Sequence, residues 1–261
     1  MKILPLAADS MGVRSMACLV KTSDITILID PSAALGGNRF GLKPSPQEKA
    51  KLKSVKSKIQ KIAEKADVIV ISHYHWDHFD PKAKFFKDKQ IFLKDYRRNI
   101  NKSQSERAYG FLSRKNPVPR WVAKHHEIAD GRSFEFGKTK LIFSPAFFHG
   151  EKKNKLGYVI ITTVKYGKQT FVHTSDVAGP SMRKTSNYLL KMRPDLLYID
   201  GPPTLFLGWK YSYKNLNKAQ KNLLGLIKTS KRKVILDHHL VRDRDYIKHL
   251  PAVYKNKYGR K

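Results

Sequence analysis

The chain has a single cysteine, Cys18, which excludes an intramolecular disulfide. It lies in Met16-Ala17-Cys18-Leu19-Val20, an apolar setting where a buried, inert thiol is expected. No apolar run approaches the ~20 residues of a membrane span. The opening segment, Met1-Lys2-Ile3-Leu4-Pro5-Leu6, is too short an apolar stretch for a secretory signal. These shortages point to the cytoplasm and leave no membrane partner. Linkers rich in Gly and Ser are missing and no internal repeat is found, so one domain over residues 1–261 is expected. Acidic residues are also scarce, with 21 Asp plus Glu against 52 Lys plus Arg and a formal net charge of +31. Such an excess attracts polyanions, either nucleic acid or another phosphate-rich partner. The lysines are spread along the whole chain, which equally suits a solubilising surface. A hydrophobic content of 41% is enough for a sizeable core.

What is present is concentrated at residues 66–80, Ala-Asp-Val-Ile-Val-Ile-Ser-His-Tyr-His-Trp-Asp-His-Phe-Asp. Val68, Ile69, Val70 and Ile71 form a β-branched run that reads as a buried strand. It leads directly into His73, His75, Asp77 and His78. Three imidazoles and a carboxylate at this spacing crowd together the nitrogen and oxygen ligands that Zn²⁺ and similar ions take. A turn following a strand can aim them at one point.

The H-x-H-x-D-H motif at a strand end resembles the signature of the metallo-β-lactamase-fold hydrolases. The resemblance extends to Asp30 after an apolar strand, His149, Asp176 and a His at 238 or 239, so it covers nearly the whole chain. It is similar to an archaeal branch of that superfamily described as predicted hydrolases. The motif speaks strongly for the superfamily and weakly for any substrate. The fold implied is α/β, a four-layer αβ/βα sandwich of two face-to-face sheets with helices outside.

Along the chain, strands are expected at 2–6, 16–21 and 25–30. In the resembled family an Asp at position 30 orients a ligand His and does not bind metal itself. A loop follows over 31–44. Ser45-Pro46-Gln47-Glu48 reads as a helix start, with Ser as N-cap and Glu three residues later. Leu52, Val55, Ile59, Ile62 and Ala66 mark the apolar face of that helix. Residues 82–124 read as a basic, aromatic insertion, including Arg97, Arg98, Arg114 and Lys115 with Phe85, Phe86, Phe92, Tyr96, Tyr109, Phe111 and Trp121. Such a mixture suits single-stranded nucleic acid, or else a core of aromatics with a solvated charged face. Ser103-Gln104-Ser105-Glu106 offers a second capping box, and Asn116-Pro117 the end of its helix. Hairpins are expected at 133–136 with 139–144 and at 157–166 with 169–175. The first delivers His149 into a loop beside Gly150, and the second delivers Asp176. His125 and His126 read as surface residues and His173 as structural. Helices over 181–192 and 215–228 flank a strand at 196–199 and the turn Asp200-Gly201-Pro202-Pro203. The aromatic residues of 204–214 suit a pocket wall or a core. A last strand, 234–236, delivers Asp237-His238-His239, and a short helix and frayed tail fill 240–261.

The resemblance implies a dinuclear centre. His73, His75 and His149 hold one divalent ion. Asp77, His78 and His238 hold the second, and Asp176 bridges them. Mixed nitrogen and oxygen ligation without thiolate suits Zn²⁺, with Mn²⁺ and Fe²⁺ as alternatives. Two such ions generate hydroxide near neutral pH, and Asp77 is the candidate catalytic residue for holding the nucleophile's proton. Neighbouring residues of a strand face opposite ways, so His238 and His239 are not expected to point at one metal. His238 is preferred, because His238-His239-Leu240-Val241-Arg242 resembles the family's strand-end His with its substrate-side loop. The expected function is a metal-dependent hydrolase of unknown substrate. The alternatives are a phosphodiesterase or nuclease acting on RNA or DNA, and a non-catalytic nucleic-acid-binding protein on the same fold.

Overall fold

A computed structural model describes residues 1–37, 41–113, 117–152, 155–230 and 233–255. Arg114, Lys115 and Asn116, part of the 31–44 loop and the last six residues of the tail lie outside them. The elements are β1 (Lys2–Pro5), β2 (Cys18–Lys21), β3 (Thr26–Ile29), α1 (Pro46–Ala63), β4 (Val68–Ile71), β5 (Gln90–Leu93), α2 (Lys102–Leu112) and α3 (Pro117–His125). They continue with β6 (His126–Ile128), β7 (Ser133–Phe136), β8 (Thr139–Phe143), β9 (Phe147–Phe148), β10 (Tyr158–Val159), β11 (Thr162–Tyr166) and β12 (Gln169–His173). The chain then forms α4 (Arg183–Met192), β13 (Leu196–Ile199), α5 (Tyr213–Thr229), β14 (Lys233–Leu236), α6 (Tyr246–His249) and α7 (Pro251–Tyr254).

Two six-stranded sheets result, ordered β1-β2-β3-β4-β5-β6 and β14-β13-β12-β11-β8-β7. The β-branched run of β4 explains its place in the middle of the first sheet. All four of its residues are buried, and their alternation serves two different layers. Val68 and Val70 join Ile27, Ile29 and Phe92 against Leu141, Phe143, Val164 and Phe171 of the second sheet. Ile69 and Ile71 face outward onto Val55, Ile59 and Ala63 of α1 and Phe111 of α2. On the far side, Val172, Leu197 and Ile199 of the second sheet pack on Leu189 of α4 and Leu216, Leu223 and Leu226 of α5. These layers form the four-layer αβ/βα sandwich.

The capping box of α1 is formed as expected: Glu48 N donates to Ser45 Oγ at 3.2 Å and Ser45 N donates to Glu48 Oε2 at 2.8 Å. The second capping box is not. Asn101 caps α2, its side chain accepting from Gln104 N at 2.8 Å, because Gln104 is needed inside. There its side chain receives Tyr74 N at 3.1 Å and donates to Leu156 O at 2.6 Å. Pro117 opens a further helix, α3, which leads straight into β6, paired in parallel with β5. His126 is therefore half-buried in a strand, while His125 is exposed. The 82–124 stretch contributes β5 to the first sheet, between β4 and the edge strand β6, and Phe85, Phe86, Phe92 and Phe111 are core residues.

The sheets' two ends differ. The hairpin turns before β3, β8 and β12 gather at one end, where Lys138 N donates to Asp24 Oδ2 at 2.9 Å. There also Thr139 Oγ1 donates to Asp24 Oδ2 at 2.8 Å and lies 2.8 Å from Thr22 Oγ1. The C-terminal ends of β3, β4, β12, β13 and β14 lie at the opposite end, beside the candidate site residues.

Candidate metal centre

Beyond Ile71 the alternation breaks, and Ser72 and His73, though neighbours, both face Ser175 after β12. His73 turns toward the second sheet, and Tyr74 turns away to donate its hydroxyl to Lys94 O at 2.6 Å. A tight turn follows, with His78 N and Phe79 N both donating to His75 O, at 3.0 and 2.9 Å. That turn brings His75, Asp77 and His78 back beside His73, with ring centroids of His73 and His78 4.3 Å apart. His73 and His78 are fully buried, and His75 and Asp77 are partly exposed.

Asp176, after β12, stands at the middle. Its Oδ2 lies 3.0 Å from His149 Nε2, 3.5 Å from His239 Nε2 and 3.7 Å from His73 Nε2. Its Oδ1 lies 3.0 Å from His78 Nε2 and 3.4 Å from His238 Nε2. Ligand atoms of His73, His75, His149 and Asp176 fall within 4.8 Å of one another, as do those of Asp77, His78 and His238. A third such group joins Asp176, His238 and His239. All seven expected positions thus converge, divided between two sets with one carboxylate between them.

The electrostatics suit a cation. Burial, then the neighbouring His78 and His75, hold the His73 imidazole well below its usual value. Burial and His149 push His75 down to about 3. Burial would raise the Asp176 carboxyl, but His78, His238 and His239 prevail and hold it well below the usual carboxylate range. His73 and His75 are thus neutral beside an ionised Asp176, the states that metal binding requires. His78 and His238 differ: burial would lower both, but Asp176 with Asp30 raises His78 well above its usual value, and Asp176 with Asp9 raises His238 to about 9. His73 supplies the clearest sign of fit. Its Nδ1 faces Ser72 Oγ at 3.0 Å and Ser175 Oγ at 3.2 Å, while its buried Nε2 has no hydrogen-bond partner among the described residues. An unsatisfied buried nitrogen aimed at a carboxylate and further imidazoles is what a divalent ion would complete.

Carboxylates stand behind the imidazoles. Asp30 Oδ2 accepts from His78 Nδ1 at 2.9 Å. Two further such pairs were not foreseen. Asp9 Oδ2 lies 2.7 Å from His238 Nδ1, and Asp200 Oδ2 accepts from His239 Nδ1 at 2.7 Å. Asp9 sits in a short 3-10 turn with no motif around it, and Asp200 in a Gly-Pro turn that reads as purely structural. Their only signal is a carboxylate in a loop.

The strand-face argument separating His238 from His239 fails. β14 ends at Leu236, and His238 takes a left-handed backbone with φ of 57°. Alternation is lost there, so both imidazoles turn to Asp176, one toward each oxygen. His238 also meets Asp77 Oδ2 at 3.7 Å, which keeps it with the second set. His173 donates Nε2 to Met16 O at 2.8 Å and stays structural. Trp76, inside the motif, is 46% exposed and carries the Arg107 guanidinium 4.7 Å above its ring.

The sequence matches a family profile described as beta-lactamase superfamily domain over residues 13–236. A UPF0282 protein of Methanocaldococcus jannaschii is 43% identical, covering 98% of this chain and 89% of its own. One from Korarchaeum cryptofilum is 42% identical, covering 97% and 83%. Among solved structures, "a possible metal-dependent hydrolase from Veillonella parvula" shares the fold with a TM-score of 0.56 at 16% identity, covering 90% of each chain. Yeast PDE1 also shares it, with a TM-score of 0.56 at 13% identity, covering 97% of this chain and 93% of its own. With its signature side chains converging at one end of a four-layer sandwich, the chain belongs to the beta-lactamase superfamily domain family, alongside the archaeal UPF0282 proteins.

Proposed function

We propose that the protein is a metal-dependent hydrolase. The observation that carries this reading is Asp176, whose two oxygens face two separate sets of imidazoles and carboxylate within bonding reach of an ion. His73, His75 and His149 with Asp176 would hold one divalent ion, with Zn²⁺ suited to the donors. Asp77, His78 and His238 form the second set. A divalent ion held at this centre would lower the pKa of water toward neutrality and polarise the bond to be hydrolysed.

The chain's own part is positional. Asp30 and Asp200 fix the tautomers of His78 and His239, and Asp9 pairs with His238 at Nδ1. Ser72 and Ser175 hold the His73 ring from its Nδ1 side. Asp77 is partly exposed where a substrate would enter, so it can take a proton from the attacking water. Cys18, buried and unpaired with any other thiol, suits a reducing compartment such as the cytoplasm.

The test is hydrolysis of bis-p-nitrophenyl phosphate and of a p-nitrophenyl ester, with and without chelator. Turnover should vanish on chelation, return with Zn²⁺ and be lost in His149→Ala. Turnover that survives both chelation and His149→Ala would overturn the reading. A phosphodiester is the better-supported substrate class, because Arg107 stacked on Trp76 places an aromatic face and a cation beside the motif. It predicts the phosphate diester as the faster substrate.

A further inference from the structure

The second ligand set already faces a cation. Arg242, in the loop after β14, has a side chain only 13% exposed and reaches into the cluster. Its Nε donates to Asp9 Oδ1 at 2.8 Å. Its Nη2 lies 3.0 Å from His238 Nε2 and 3.5 Å from Asp77 Oδ2. His238 and Asp77 both belong to the second ligand set.

The geometry leaves little choice of ligand atom. Asp9 Oδ2 occupies the Nδ1 side of His238 at 2.7 Å, so Nε2 is the nitrogen left to ligate. Arg242 is held against that nitrogen by the same Asp9, one oxygen of which serves the imidazole and the other the guanidinium. A guanidinium has five donors, no lone pair and a charge it does not lose, so it can neither ligate a metal nor step aside by deprotonating. An ion entering the second set must displace Nη2 from both Asp77 and His238 and tolerate a positive charge beside it. The first set differs. Its His73 Nε2 is buried without a hydrogen-bond partner among the described residues.

We propose that Arg242 stands in for the second cation. The centre binds one divalent ion firmly, through His73, His75, His149 and Asp176, and the guanidinium supplies the positive charge at Asp77 and His238. Where a second ion would meet the anionic part of a substrate, Arg242 meets it as a hydrogen-bond donor. This inference rests on the metal-centre reading above, and stoichiometry separates the two.

The experiment strips the full-length protein with chelator, then titrates Zn²⁺ by calorimetry and counts ions by elemental analysis after dialysis. Wild type should retain one ion. Arg242→Met, which keeps the packing and removes the charge, should gain a second, and Arg242→Ala should do the same. Circular dichroism confirms that each variant is folded, and Arg242→Lys serves as a charge-retaining control that should stay at one ion. Two ions held with similar affinity by wild type would overturn the inference and leave the metal centre standing. One ion in both neutral variants would also overturn it, because the second set would then be closed for another reason. No ion in wild type would instead overturn the metal-centre reading itself.

Discussion

Asp30 has both oxygens committed. Oδ1 accepts from Ser72 N at 2.8 Å, and Oδ2 from Ser72 Oγ at 2.6 Å and His78 Nδ1 at 2.9 Å. Asp30→Ala leaves these buried donors unpaired at a cost of about 1–3 kcal/mol each, so roughly 3 kcal/mol or more of stability should be lost in denaturant unfolding. Removing the partner of a ligand His should also weaken ion binding about 10–100-fold, measured by titration into the folded variant. Cys18 makes an independent expectation. Burial, with the charge of Asp30 also contributing, raises its thiol far above the usual range, so the neutral form persists across ordinary pH. A thiol reagent should label nothing in the native protein at pH 8 and one equivalent after unfolding; rapid native labelling would contradict the burial. Residues of the motif were legible in the sequence because their spacing is local: His73, His75, Asp77 and His78 share one turn. Asp9, Asp200 and Arg242 were not, because each acts on a partner that only the folded chain brings near. His239 was misjudged because a left-handed residue, His238, interrupts the alternation on which the judgement rested.

At the scale of elements, the start and apolar stripe of α1 were readable because local chemistry alone decides them, a cap, a proline and the stripe itself. The helix ends at Ala63, so Ala66, expected on that face, lies beyond it. Ser45→Ala should cost about 1 kcal/mol, read from a shift in the unfolding midpoint. Elements decided by tertiary contacts were less legible. Gln104 is drawn inside α2 by Tyr74 and Leu156, which moves the cap to Asn101, and Pro117 opens α3 in a place where proline reads equally well as a stop. The turn at Gly201 illustrates a constraint no pattern announces. Its φ is +70° and a Cβ there would lie 2.6 Å from Leu240 Cβ. Only glycine allows the Asp200 turn and the His238–Leu240 loop to approach so closely. Gly201→Ala should therefore push Asp200 off His239, lowering both thermal stability and ion affinity; a variant with wild-type values of both would show that the loop yields freely.

For the whole molecule, the net charge of +31 predicts attraction to polyanions, while the structure removes most of the stacking surface that was considered for residues 82–124. Phe85, Phe86, Phe92 and Phe111 are core, and Tyr96 is half-buried against Tyr109 at 5.2 Å between ring centroids. Single-stranded RNA should accordingly bind through charge, with log K falling against log[salt] at roughly −0.7 per phosphate contact. Arg97→Ala with Arg98→Ala should flatten that slope, and Tyr96→Ala should leave both slope and affinity unchanged. Loss of affinity in the tyrosine variant alone would restore a stacking site. The two-ended construction of the sandwich has a mechanical consequence. Asp24, Thr22, Lys138 and Thr139 join the sheets at one end by hydrogen bonds that need no ion. At the other end the first sheet brings the motif after β4 and the second brings Asp176 after β12, side chains that a shared ion would draw together. The laced end is then a hinge and the other a jaw. Chelation should loosen the jaw alone: amide exchange should quicken first in the residues following β3, β4 and β12, while those around Thr22 and Thr139 keep their protection.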